Sequence, residues 1–164
     1  EMNFKIFLEK NFIKYMFFSL TGRISRSYWW FSQIYLILVS FVIASLISPL
    51  EIALLNIVFN LIFTAAGFFV SAKRLQDLGI DGLFALTPMI FAIYASYVIG
   101  VDKIVNSGLE NLSSFDQALF WIFSLSVLLL FILEAFIKGK NVSNKFGNNA
   151  NEYVEKFIKS LTNT

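Results

Sequence analysis

Neither cysteine nor histidine occurs anywhere in this chain of 164 residues. The first absence removes disulfides, thiolate metal ligands and thiol nucleophiles. The second removes the commonest metal ligand and the one side chain that titrates near neutrality unperturbed. Nucleophile–histidine pairs and histidine-built metal centres are thereby excluded, which leaves carboxylate, lysine and tyrosine chemistry. Charge is scarce as well: Asp, Glu, Lys and Arg make up 15% of the chain, against about 25% in ordinary soluble domains. The net charge of +2 is too small to mark a nucleic-acid partner.

What is present is apolar. Hydrophobic residues make up 57% of the sequence, with 20 phenylalanines, and mean hydropathy is +0.71. No single aqueous core of this size hides so many rings. Lipid must be the solvent for much of the surface.

A membrane helix needs about 20 mainly apolar residues to cross about 30 Å of hydrocarbon. Stretches free of charge run over 27–50, 52–72, 82–101 and 117–133, the last continuing past Glu134 to 137. The first is too long and too far from residue 1 for a cleavable signal, and another span follows it directly. Pro49 and Glu51 mark a tight turn between the first two spans, and Pro88 is expected to bend the third. The expectation is all-α: an integral membrane bundle of four transmembrane helices over 27–137. Residues 1–26 precede it as an amphipathic helix and basic segment, and 138–164 follow as a Gly/Asn-rich tail with a short amphipathic helix.

Basic residues orient the bundle. Lys5, Lys10, Lys14, Arg23 and Arg26 precede the first span, Lys73 and Arg74 follow the second, and Lys138, Lys140, Lys145, Lys156 and Lys159 follow the fourth. With four spans these segments share one side, and of the 13 basic residues only Lys103 lies opposite. The positive-inside rule then places both termini in the cytoplasm. The outer 102–116 loop is polar and too short for a receptor domain.

The flanks are amphipathic. Over 3–18, Phe4, Leu8, Phe12 and Tyr15 recur at helical spacing opposite Lys5, Glu9, Lys10 and Lys14. This reads as a helix in the headgroup plane; packing on the bundle's cytoplasmic face is the other reading. Over 151–161, Tyr153, Val154, Phe157, Ile158 and Leu161 form a weaker stripe.

Three segments carry more specific residues than topology demands. Gly22-Arg23-Ile24-Ser25-Arg26-Ser27-Tyr28-Trp29-Trp30 leads into the first span, with Ser25 or Thr21 as helix cap and the aromatics at belt height. In Lys73-Arg74-Leu75-Gln76-Asp77-Leu78-Gly79-Ile80-Asp81-Gly82, a continued second helix puts Lys73 and Asp77 one turn apart, able to pair. Gly79 then suits the C′ position, and Asp81 caps the third helix. The last segment runs from Lys138 to Asn149.

Together they resemble the bacterial membrane family catalogued as domain of unknown function 805, whose members include inner-membrane proteins of enteric bacteria. The matching residues are Gly22, Arg23, Arg26, Tyr28, Trp29 and Trp30; Arg74, Leu75, Asp77, Gly79 and Gly82; and Gly139, Asn144, Phe146 and Gly147. The departures are Ser27 for an acid, Gln76 for His, Leu83 for Trp, and Lys145 and Asn149 for the tail's Arg and Pro. The resemblance covers about residues 3–150 and implies a four-span bacterial inner-membrane protein, without a cofactor or an assigned activity.

On function, the residues support a non-enzymatic accessory protein that binds a lipid or a membrane-protein partner. Arg23, Arg26, Lys73, Arg74, Lys138, Lys140 and Lys145 converge with Asp77 on the cytoplasmic face, where they either mark topology or hold an anionic headgroup or phosphate. Glu134 is expected in a buried ion pair with Arg26 or Arg74, or snorkelling; a proton-coupling carboxylate is the sharper reading. The alternative is an oligomeric channel or small transporter using the polar stripe Asn56, Asn60 and Thr64 on the second helix. Close helix contact is expected at the small pairs Ser40/Ala44, Gly67/Ser71 and Ala92/Ser96. No convergent acids, activated nucleophile or metal-ligand set points to an enzyme.

Overall fold

A computed structural model describes residues 9–95, 112–140 and 142–152, together with 154, 155 and 159. Its regular elements are helical: α1 (Lys10–Phe18), α2 (Arg26–Ile47), α3 (Ala53–Leu78), α4 (Thr87–Ile93) and α5 (Ser114–Phe136), with 3₁₀ turns at Ser48–Leu50 and Gly82–Leu86. Arg26–Ile47, Leu54–Leu78 and Ser114–Phe136 are long and apolar enough to cross a membrane, with mean hydropathy 2.1, 1.9 and 2.4. The third expected span begins as a 3₁₀ turn and α4, and its remainder over 96–101 lies outside the described residues, as do 102–111 of the outer loop. So do 3–8 of the N-terminal stripe, and Tyr153, Phe157, Ile158 and Leu161 of the C-terminal one.

Local chemistry sets the boundaries. The turn between α2 and α3 passes through Ser48–Leu50 and then Glu51, whose φ of 52° is left-handed. The second helix does run beyond 72, and Gly79 at φ 84° ends it by donating its N–H to the Gln76 carbonyl. Asp81 then accepts from the Leu83 N–H at 2.9 Å and starts the next turn. Pro88 falls in the first turn of α4, where a missing N–H is tolerated. The expected bend is instead a change from 3₁₀ to α-helix ahead of it. Ser25 takes the position before α2, its carbonyl accepting from Trp29, whereas Thr21 pairs with Ser19.

Burial runs opposite to that of a soluble protein. Ile37, Leu38, Phe41, Leu46, Leu54, Leu61, Leu125 and Leu129 are exposed, while Arg23, Lys73 and Arg74 are 0% exposed. Only 6–11% of each long apolar window is buried. The apolar core gathers at the end of the bundle where α2 begins and α3 and α5 finish, around Phe12, Met16, Ile24, Tyr28, Trp29 and Val70. Tyr28 and Trp29, expected at belt height, are core residues, and Trp30 alone of the three is exposed. Phe12 of the N-terminal stripe is covered by protein, together with Met16, and α1 packs on α3; for the described part of this helix the structure takes the second reading, packing on the bundle, over the headgroup plane. At Gly67 a side chain would meet nothing within 4 Å. The close helix contact expected there is replaced by open space.

Candidate functional site

Asp77, on the last turn of α3, stands at the centre of the charged network. Arg23, just before α2, donates from Nε and Nη2 to Oδ1 at 3.1 and 3.0 Å. Arg74, one turn before Asp77, donates from Nη1 to Oδ2 at 2.7 Å. Each carboxylate oxygen therefore has a guanidinium, and the geometry uses the planar fork that lysine lacks.

The remaining arginine donors turn to main-chain carbonyls at the end of α5 and in the tail. Arg23 reaches Lys140 at 2.5 Å, Val142 at 2.7 Å and Gly147 at 3.3 Å. Arg74 reaches Glu134 at 2.9 Å, and also Ile137. A buried charge is tolerated only when its hydrogen-bonding capacity is met, and these carbonyls meet it. The tail is fitted to the network: a Cβ at Gly139 would overlap the Asp77 carboxylate. Asn144 and Gly147 exchange backbone hydrogen bonds at 3.0 Å, and the Asn144 amide donates to the Gln76 carbonyl at 2.9 Å. The residues that carry the resemblance in three separate segments thus meet in space.

Lys73 has a separate place. Its ammonium donates to the carbonyls of Tyr15, Met16 and Ser19 at 2.7, 2.7 and 2.6 Å. Those carbonyls lie at the C-terminus of α1, where helical acceptors are left over and a cation is favoured. The ammonium has three N–H groups and three acceptors. The Lys73–Asp77 pair read from spacing is not formed; Arg23 and Arg74 occupy the carboxylate. Tyr15 lies under the Lys73 cation and donates its hydroxyl to the Arg23 carbonyl at 2.9 Å. Gly22 makes room for it: φ is 111°, and a Cβ would lie 2.6 Å from the Tyr15 oxygen.

Beyond this buried set, Arg26, Lys138, Lys140 and Lys145 are exposed. Arg26, Lys138 and Lys140 line a polar cavity of about 290 Å³ with Ser25, Ser27 and the edge of Asp77. Lys145 does not join them and lies over the Phe146 ring.

Glu134 lies on the far side of Arg74, 6% exposed, and its carboxylate accepts from the Ser71 hydroxyl at 2.8 Å. The ion pair expected of it is not formed among the described residues. Arg26 donates to the Phe136 carbonyl and Arg74 to Glu134's own carbonyl. Asn60 and Thr64 face an open groove between α2 and α3 with Ser40 and Gly67, and the Asn60 amide donates to the Asn56 carbonyl of its own helix at 2.8 Å. Among the described residues no three acidic side chains gather as a metal site.

Long lipid-compatible helices joined at one end by a buried Arg–Asp–Arg network define a multi-pass α-helical membrane protein. The chain belongs to the family described as protein of unknown function (DUF805), whose profile matches residues 17–148. No curated protein matches it, and no solved structure does.

Proposed function

We propose that this is a non-enzymatic accessory protein of the bacterial inner membrane that binds an anionic phosphoester, foremost a lipid headgroup, at the polar end of its bundle. In this reading 82–101 completes a fourth span, and the network end faces the cytoplasm with both termini. The observation that carries it is the cavity of about 290 Å³ where Arg26, Lys138 and Lys140 meet the Ser25 and Ser27 hydroxyls. Behind it two guanidinium groups share one carboxylate, so the network adds positive charge rather than cancelling it. Basic groups near an anionic leaflet contribute about 1 kcal/mol each. Arg23, Lys73 and Arg74 support this site without touching its ligand, because protein acceptors already occupy them.

Native mass spectrometry from nanodiscs tests it. The wild type should retain phosphatidylglycerol over phosphatidylcholine, and Arg26→Ala/Lys140→Ala should lose that preference. Displacement by millimolar inorganic phosphate would identify a soluble phosphate as the ligand instead. Equal retention of both lipids by wild type and variant would overturn the proposal. An oligomeric channel requires Asn60 and Thr64 to face a second copy across their open groove. A ring-sized oligomer free of bound lipid would favour that reading.

A further inference from the structure

A second cavity, of about 330 Å³, lies between α2, α3, α4 and α5, lined by Trp29, Trp30, Gln33, Ser71, Phe131 and Glu134 among others. It differs from the polar cavity in both charge and wall. Its acidic group is Glu134, 6% exposed, held by Ser71 at 2.8 Å. A carboxylate in apolar surroundings calls for a partner charge; Arg74 is near enough to act on Glu134 electrostatically, yet no guanidinium donor reaches the carboxylate among the described residues. Arg74 directs its donors to the Glu134 and Ile137 carbonyls and to Asp77, and Arg26 to the Phe136 carbonyl.

The walls say what kind of counter-charge fits. Trp29, Trp30 and Phe131 form a mutually edge-on trio, with centroids 5.0, 6.1 and 6.2 Å apart. Aromatic faces attract cations, most of all organic ammonium groups that shed little hydration. A divalent metal ion is a poor match: magnesium demands six oxygens in octahedral array, and the cavity offers a carboxylate, a hydroxyl and the Gln33 amide. The volume lies in the range of small-molecule sites. Glu134 is close to the end of α5, which puts the charged end of the cavity near the interface.

We propose that this cavity binds a lipophilic organic cation, a tertiary or quaternary ammonium, with Glu134 as counter-ion and the Trp29/Trp30/Phe131 trio as its aromatic wall. The site is independent of the anion cavity and stands or falls separately from it.

The test uses the full chain in an uncharged detergent with benzyltrimethylammonium as probe, read by tryptophan fluorescence in a Trp121→Phe background. Saturable binding is expected, at least tenfold weaker in Glu134→Gln and several-fold weaker in Trp30→Ala, with melting temperature as the folding check. A measurement on the wild type removes dependence on any variant's folding. Dicyclohexylcarbodiimide labelling of Glu134, read by mass spectrometry, should be suppressed by benzyltrimethylammonium and not by sodium chloride at equal concentration. Equal affinity in a folded Glu134→Gln, or labelling that the ammonium does not slow, would overturn the proposal. Continued phosphatidylglycerol retention by Glu134→Gln would show that the anion cavity is intact whichever way the ammonium result falls.

Discussion

Asp77 ties two arginines into one buried network. It is 3% exposed and neutralises part of the charge of two fully buried arginines from different parts of the chain. Removing one partner of a buried charge network leaves the others desolvated without compensation. Asp77→Asn should lower stability by about 3–5 kcal/mol, seen as a fall in melting temperature in detergent; an unchanged melt would mean that the network is not what joins the bundle's end. Arg23→Lys should also destabilise, because an ammonium cannot serve the carboxylate and three tail carbonyls at once. Gly139→Ala, harmless on an exposed loop, should displace the carboxylate that its Cβ would overlap. In a double-mutant cycle with Asp77→Asn its cost should be markedly less than additive, since the two substitutions damage one contact.

At the scale of elements, the docking of α1 turns on Lys73. The helix has nine residues, too few to be stable alone in water, and its order comes from burying Phe12 and Met16 against α3 and from the ammonium at its C-terminus. Lys73→Met keeps the length and removes the donors, leaving three carbonyls unmet. Hydrogen exchange over 10–18 should then rise by tenfold or more while the interiors of α2 and α5 stay protected. Uniform protection would show that apolar burial holds α1 unaided. A stripe at helical spacing identifies α1 in the sequence, but apolar residues such as Phe12 and Tyr15 read the same whether lipid or protein covers them. For the same reason, Tyr28 and Trp29 read as an interfacial belt although their rings belong to the core.

For the whole molecule, the inversion of burial is decisive: leucine and isoleucine face outward along α2, α3 and α5, and Arg23, Lys73 and Arg74 are buried at one end. Because the chain lacks cysteine, single cysteines report sidedness without background. In inverted inner-membrane vesicles, Ser143→Cys should react with a membrane-impermeant maleimide and Glu51→Cys should not; intact spheroplasts should give the reverse. Labelling of both from one side would refute the proposed orientation. The lipid preference should also weaken between low and high salt, because the exposed Arg26, Lys138 and Lys140 are screened while the buried arginines are not.

Composition and the charge-free stretches alone determined that the chain is helical and meant for lipid, since hydrophobic length is a local property that a bilayer reads directly. The sequence also showed the Gly79 terminus, the Asp81 cap and the family, each carried by residues near one another in the chain. Only the tertiary structure decided which cations are buried among protein acceptors and which line the open cavity. Spacing pairs Lys73 with Asp77 four residues on, yet its partners are carbonyls at the end of α1 more than 50 residues earlier. Arg23 and Arg26, three residues apart, separate into a sequestered strut and a cavity wall. Long side chains choose partners by three-dimensional proximity and unmet hydrogen-bonding capacity, and neither quantity is written in local order.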